Sequence, residues 1–491
     1  MAPPPERQPQ LIVYPDALGG TIESLIGLMD GEMADWFPGG VHLLPPFPSS
    51  GDRGFAPTRY DHVEPEFGSW EDLEALARAV PLTLDVMVNH ISRRSLEFVD
   101  FRAHGRASAG ADMFMRPHKV WLDGDAPDED LPRLFLRRPH SPFLEVPIGD
   151  GDTTEVVWAT FGVSEHESEQ IDLDWRSPLT RAKYREWFGG LADAGVVEVR
   201  LDAVGYLVKE AGTSCFMVEP AIWDALDCLR DIADAVGLRV LPEVHATPDV
   251  VASLDAHGYT TYDFVLPGLM LDALHTRSTG RLAEHLATLA PTRVTMLDCH
   301  DGVPVSPDLV GIVPEDDLRT LTAALEDRGA NINRILGAAE RGIDFDVHQI
   351  NISYLDAADG PDGLAVARAV QLFSPGRPQV YYQGLLGGGN DLAAIERTGE
   401  GRAVNRTDYT VDEARHALAS PIARRQRRLL EIRSRHPAFA AERPSIARPH
   451  DDGITARWDH LDAWCQLDAD VTTRTATVTM SPFPGLEPGP V

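Results

Sequence analysis

The sequence predicts an α/β protein: a (β/α)8 barrel with two inserted subdomains and a small C-terminal antiparallel β domain. Two patterns predict it. Apolar strand-like runs alternate with amphipathic helical runs, as expected for a parallel sheet built from βα units. Four of those runs also close in chemistry-bearing residues: LTLDVMVNH at His90, VVEVRLDAV with Arg200 and Asp202, LRVLPEVH with Glu243 and His245, and RVTMLDCHDG with His300 and Asp301. In barrels of this kind the active face lies at the C-terminal ends of the strands.

In chain order, LIVYPDAL opens as a strand, GTIESLIGLMDGEMADWF as a helix and GVHLLPPF as the second strand. SWEDLEALARAV is an amphipathic helix with Ser69 as N-cap and Glu71 and Asp72 in its first turn. TLDVMVNH is the third strand. The rhythm then breaks, and a stretch holding ISRRSLEF, LPRLFLRRPHSPF and VVWATFG is too long for a barrel loop. Alternation resumes with the helix SPLTRAKYREWFGGLADAG, the fourth strand, the helix PAIWDALDCLRDIADAVG and the fifth strand. YDFVLP and VTMLDCHDG are the sixth and seventh strands. PEDDLRTLTAALEDRG is helical, and GIDFDVHQINISYLDAA reads as a long loop. The helix PDGLAVARAVQLF, the strand PQVYYQG and a helix ending near IRSRH close the barrel. Short alternating runs after it predict antiparallel strands. The expected division is a barrel from 1–87, 177–303 and 364–442, insertions at 88–176 and 304–363, and a β domain at 443–491.

The formal charge of −32 argues against nucleic acid and anionic membranes as partners. No apolar run approaches a membrane span, and the first ten residues carry no secretory signal. Cys215, Cys228, Cys299 and Cys465 have no paired spacing and read as reduced thiols of a cytoplasmic protein. No Gly-rich nucleotide motif is present, so no cofactor is implied. Small molecules are the expected partners, of a monomer or homodimer.

Arg200 and Asp202 flank Leu201, so in a strand both project to one side. A cation beside a carboxylate keeps it ionised, and an ionised, positioned Asp suits a glycosidic nucleophile. An isolated Arg–Asp pair more often only pins a loop. What changes the reading is the ordered set VNH, RLD, E and HD. It resembles the alpha-amylase superfamily of glycoside hydrolases, and RLDAVGYLVKEAGTSCF, YDFVLP, LDCHDG, PQVYYQG and NDLAAIERTGEGRAVNR are similar to its sucrose phosphorylase branch. The likeness runs from about residue 11 to about residue 440.

The resemblance implies Asp202 as nucleophile, Glu243 as general acid/base and Asp301 as stabiliser of an oxocarbenium-like transition state. Neighbouring carboxylates and partial burial would help Glu243 hold a proton. It also implies that His90 and His300 donate to sugar hydroxyls, with Arg200 and His245 beside them. Asp52 and Arg406 resemble the pair that grips the far side of glucose, and Phe55, Phe161 and Tyr206 the apolar walls. Asp346 and Gln349 lie in a matching loop. Asn89 matches an Asn that helps bind calcium in many amylases. Such a site needs several converging oxygens, and the sequence supplies no recognisable set, so no metal is expected.

Two loops depart from sucrose phosphorylases. Phe135, Leu136 and Arg137 stand where that branch has Tyr, Arg and Pro, while Arg138 is retained, which creates an adjacent arginine pair. His348 replaces a Tyr. Arginine forks suit phosphate and carboxylate, and histidine adds a donor or a charge. The pattern resembles phosphorylases of sucrose 6′-phosphate. Plain sucrose, glucosylglycerate, and a hydrolase or transglucosylase of the same fold are the alternatives. A catalytically inactive amylase-like subunit is disfavoured by the intact carboxylates.

Overall fold

The computed structural model describes residues 5–136, 142–161, 168–335 and 344–491. Eight strands form the central sheet: β1 (Gln10–Val13), β2 (Val41–Leu43), β3 (Leu82–Met87), β4 (Glu198–Asp202), β5 (Arg239–Pro242), β6 (Tyr262–Asp263), β7 (Val294–Thr295) and β8 (Arg377–Tyr381). They are ordered β6-β7-β8-β1-β2-β3-β4-β5. That is the chain order run cyclically, as single winding of successive βα units dictates. The pairs β1–β8, β6–β7, β7–β8, β3–β4 and β4–β5 are parallel. Every residue of β1, β3 and β4 is buried, because a parallel sheet covered on both faces leaves no solvent side.

The helices are fixed at their ends by sequence. α1 (Ile22–Asp30) starts at Thr21, whose side chain accepts from Ser24 N, and stops at Gly31. The helix expected over residues 20–37 is therefore seven residues shorter on its C-terminal side, ending where glycine takes over. α2 (Trp70–Ala79) has the full capping box: the Ser69 hydroxyl accepts from Asp72 N and the Asp72 carboxylate accepts from Ser69 N. α3 (Pro178–Asp193) and α4 (Ala221–Asp234) flank β4, and α5 (Pro361–Phe373) and α6 (Pro421–Arg435) flank β8. The sixth strand is only two residues long, since a helix begins at Leu266.

The stretch read as a long loop is a correction. Val347–Asn351 is a strand, antiparallel to both Val303–Pro304 and Asn331–Arg334. All five of its residues are buried, so the exposure alternation that marks a half-buried strand never arises. The C-terminal strands do form a five-stranded antiparallel sheet from Ser445 to Pro490.

Contacts divide the chain into two compact units. One holds residues 1–42, 245–334 and 347–491; the other holds 43–244 and 335–346. In the first, Trp458 of the C-terminal sheet donates to the Phe373 carbonyl at the end of α5, 2.9 Å away. Arg433 of α6 lies 4.8 Å from the Trp458 ring and 4.9 Å from that of Phe439. In the second, β3, β4 and β5 lie side by side, and the segment after β3 returns as the strand Gln170–Asp172, antiparallel to His90–Ser92.

Candidate active site

The second unit carries the Arg–Asp strand end and Glu243. The parallel register sets Asp85 of β3 opposite Arg200 and Met87 opposite Asp202. Arg200 Nη1 bonds to the Asp85 carboxylate and lies 3.1 Å from Asp202 Oδ1. Its Nη2 lies 2.8 Å from Glu243 Oε1, just beyond β5. The other Glu243 oxygen accepts from Ala203 N at 3.1 Å. All four side chains are buried. One guanidinium thus serves three carboxylates, where the sequence suggested a simple pair. Ala203 follows Asp202 at φ 55 and ψ 25, a left-handed conformation uncommon for alanine. It turns the chain sharply after β4 into the short helical turn Val204–Tyr206.

Aromatic groups pack beside this strand end. Phe161 meets His90 edge-on at 5.4 Å and Tyr206 at 5.2 Å, and Tyr206 also packs on Phe216 at 4.8 Å. His90 Nε2 lies 3.0 Å from the Phe55 carbonyl, which accepts its proton. Burial pulls the His90 pKa below its ordinary value, against the opposing pull of Asp172. The Phe55 carbonyl also accepts from Gln170 Nε2 at 2.8 Å. Asp52 and Arg53 both have positive φ, 48° and 47°, so the loop carrying Asp52 is held under backbone strain of the kind found at functional sites.

The first unit carries the other strand ends. Asp301 Oδ1 lies 3.1 Å from Arg402 Nη1 and 3.9 Å from Arg406 Nη2, and Oδ2 lies 3.6 Å from His300 Nε2. Arg406 Nε donates to the His300 carbonyl at 2.8 Å, and its guanidinium sits 5.6 Å from the Tyr14 ring. His245 stacks on Phe264 at 3.8 Å, with Nδ1 3.2 Å from Asp308 Oδ2. His348 Nδ1 donates to the Ser306 carbonyl at 2.7 Å. Gln349 is buried in the three-stranded sheet opposite Pro304 and Asn333.

The second unit thus brings together Arg200, Asp202 and Glu243, and beside them His90, Phe161 and Tyr206. The first brings together His300, Asp301 and Arg406. Asp346 is tied through its backbone, its carbonyl accepting from Ile335 N at 2.6 Å. Arg137 and Arg138 lie outside the described residues. Sequence reasoning passed over Asp85, Arg402, Asp308 and Lys209. Asp85 and Arg402 sit inside motifs already singled out, DVMVNH and GRAVNR. Asp308 carried no visible signal.

Residues 39–232 match the family model of the alpha amylase catalytic domain. The chain is 43% identical to a sucrose 6(F)-phosphate phosphorylase of Thermoanaerobacterium thermosaccharolyticum, over 96% of each chain. It is 36% identical to a glucosylglycerol phosphorylase of Marinobacter adhaerens, again over 96% of each. The crystal structure of sucrose 6F-phosphate phosphorylase from Thermoanaerobacter thermosaccharolyticum superposes with a TM-score of 0.94 at 42% identity, covering 99% of this chain and 98% of that one. The chain belongs to the glycoside phosphorylases of the alpha-amylase family, with their (β/α)8 barrel.

Proposed function

We propose that this protein cleaves sucrose 6′-phosphate with inorganic phosphate, giving α-glucose 1-phosphate and fructose 6-phosphate. The observation that carries the reading is the likeness to a sucrose 6(F)-phosphate phosphorylase along nearly the whole chain. The Arg200 fork on Asp202 and Glu243 supports it, because double displacement needs a nucleophilic and a proton-carrying carboxyl group held together.

An Asp202 oxygen attacks the anomeric carbon of glucose, the bond to the fructosyl oxygen breaks, and Glu243 protonates that leaving oxygen. Inorganic phosphate then attacks the same carbon. Glu243 takes back the phosphate proton and Asp202 leaves as carboxylate. Asp301, steadied by Arg402 and Arg406, stabilises the charge that develops on the ring. Asp52 and Arg406 grip the glucosyl hydroxyls with His245 and His300, and Phe55, Phe161 and Tyr206 wall the ring. The donation to a sugar hydroxyl expected of His90 is corrected: its Nε2 proton is directed to Phe55 O, and the ring steadies the Phe161 wall. Arg137 and Arg138, with Asp346, His348 and Gln349, are the residues assigned here to the fructosyl phosphate. The four free thiols and the absence of a membrane-spanning helix among the described residues fit a cytoplasmic enzyme.

Two inversions at one carbon retain configuration. NMR of a fresh reaction mixture is expected to show α-glucose 1-phosphate, formed only when inorganic phosphate is present. A β-phosphate product would mean single displacement and remove Asp202 from the nucleophile's role. Glucosylglycerol is the second candidate substrate, given the relative from Marinobacter adhaerens.

A further inference from the structure

Of 44 basic residues in this chain only three are lysines: Lys119, Lys183 and Lys209. Lys209 is 2% exposed. Its Nζ lies 2.8 Å from Asp172 Oδ2 and 2.9 Å from Asn89 Oδ1, and it also donates to the Tyr206 carbonyl. The Trp158 ring flanks it at 5.5 Å. An ammonium group has three N–H bonds radiating from one atom, and here three oxygens receive them. A guanidinium spreads five donors in a plane and cannot converge on one point. In a chain that otherwise uses arginine, the buried position that needs a point charge holds lysine.

The three oxygens come from separate parts of the same unit. Asn89 lies just past β3. Tyr206 ends the short turn that begins beside Asp202. Asp172 lies on the return strand of the insertion, and its two oxygens accept from Thr160 N at 2.9 Å and Thr160 Oγ at 2.5 Å. Thr160 precedes Phe161. The ammonium is therefore joined to the Tyr206 backbone directly and to Phe161 through Asp172 and Thr160, and these are the two rings that meet edge-on at 5.2 Å.

We infer that Lys209 is a positioning residue for the glucosyl site: an internal cation that fixes the turn after Asp202 and the spacing of the Tyr206 and Phe161 walls. The inference rests on the donor-site assignment proposed above. It predicts a selective loss. Weakening the brace displaces the wall that binds the glucosyl donor, while inorganic phosphate approaches a glucosyl group already in place.

The test compares Lys209→Ala, Lys209→Met and Lys209→Arg with the control Lys183→Met, whose half-buried ammonium pairs with Glu97 at 2.9 Å and Glu186 at 3.1 Å. Lys209→Ala is expected to raise KM for the glucosyl donor by about tenfold or more, with KM for phosphate within about twofold of wild type. Propylammonium, which replaces the missing side-chain atoms, should restore the donor KM in a saturable way. Lys209→Arg should not restore it, and Lys183→Met should change neither constant. Equal changes in both KM values, or no response to propylammonium in folded Lys209→Ala, would overturn the inference. Hydrogen exchange supplies a readout independent of the substrate. In Lys209→Met, which keeps the stem and removes the charge, protection should fall together at residues 159–161, 170–173 and 203–208. Unchanged exchange there would also overturn it. If wild type cleaves none of the proposed sugars, the substrate assignment fails while the exchange result still decides whether Lys209 braces the turn.

Discussion

The guanidinium of Arg200 reaches Asp85, Asp202 and Glu243 at once, and the chemistry proposed above depends on that fork. Asp202→Asn should lower turnover by roughly three orders of magnitude or more, since only positioning and electrostatics remain without a covalent intermediate. Glu243→Gln should slow poor leaving groups far more than activated ones, which need no proton; steady-state rates on a phenolic and an alkyl glucoside measure this. If Arg137 binds the fructosyl phosphate as proposed, Arg137→Ala should raise KM for sucrose 6′-phosphate about ten- to a hundredfold and leave sucrose nearly unchanged, the effect of one lost hydrogen bond to a charged group. His348→Tyr should cost less, because the His348 Nδ1 is committed to the Ser306 carbonyl and its other nitrogen becomes a donor only on protonation. The Arg200–Asp202 pair was legible in sequence because its members are two residues apart on one strand face. Asp85 was not, since its partner is 115 positions away and only the strand register joins them. Lys209 left a compositional trace, the scarcity of lysine, but its three oxygens meet only in the folded chain.

Elements with local signals were read well, and those without were not. α2 was legible because Ser69 and Asp72 form a local capping box, and the C-terminal strands because one face alternates with solvent. Val347–Asn351 was missed because burial on both sides erases that alternation. The same reasoning gives a stability prediction. Ser69→Ala removes the cap of an exposed helix end and should cost about 1 kcal/mol. Denaturant unfolding should show a lower midpoint with an unchanged slope, while KM and kcat stay at wild-type values. A change in activity would mean that α2 is coupled to the site, which the cap geometry gives no reason to expect.

At the scale of the whole molecule, burial holds His90 and His436 below the ordinary histidine pKa. Below about pH 6.5 the unfolded chain takes up protons that the folded chain refuses, so stability rises with pH in that window and is lost as pH falls. Thermal unfolding followed from pH 7 to pH 5 should show a falling Tm, and His436→Asn should flatten the slope. The net charge of −32 adds a second global constraint, since it repels an anionic sugar and leaves attraction to local arginines. Salt should therefore raise the association rate of the phosphorylated substrate with Arg137→Ala and lower it less than expected with wild type. Which sugar those arginines select decides the function. Its most direct measurement is kcat/KM for sucrose 6′-phosphate, sucrose, glucosylglycerol and glucosylglycerate at one fixed concentration of inorganic phosphate. The account predicts phosphate-dependent turnover that is far greater with sucrose 6′-phosphate than with the other three. A preference for plain sucrose or for either glycerol-derived glucoside, or equal turnover without phosphate, would contradict it.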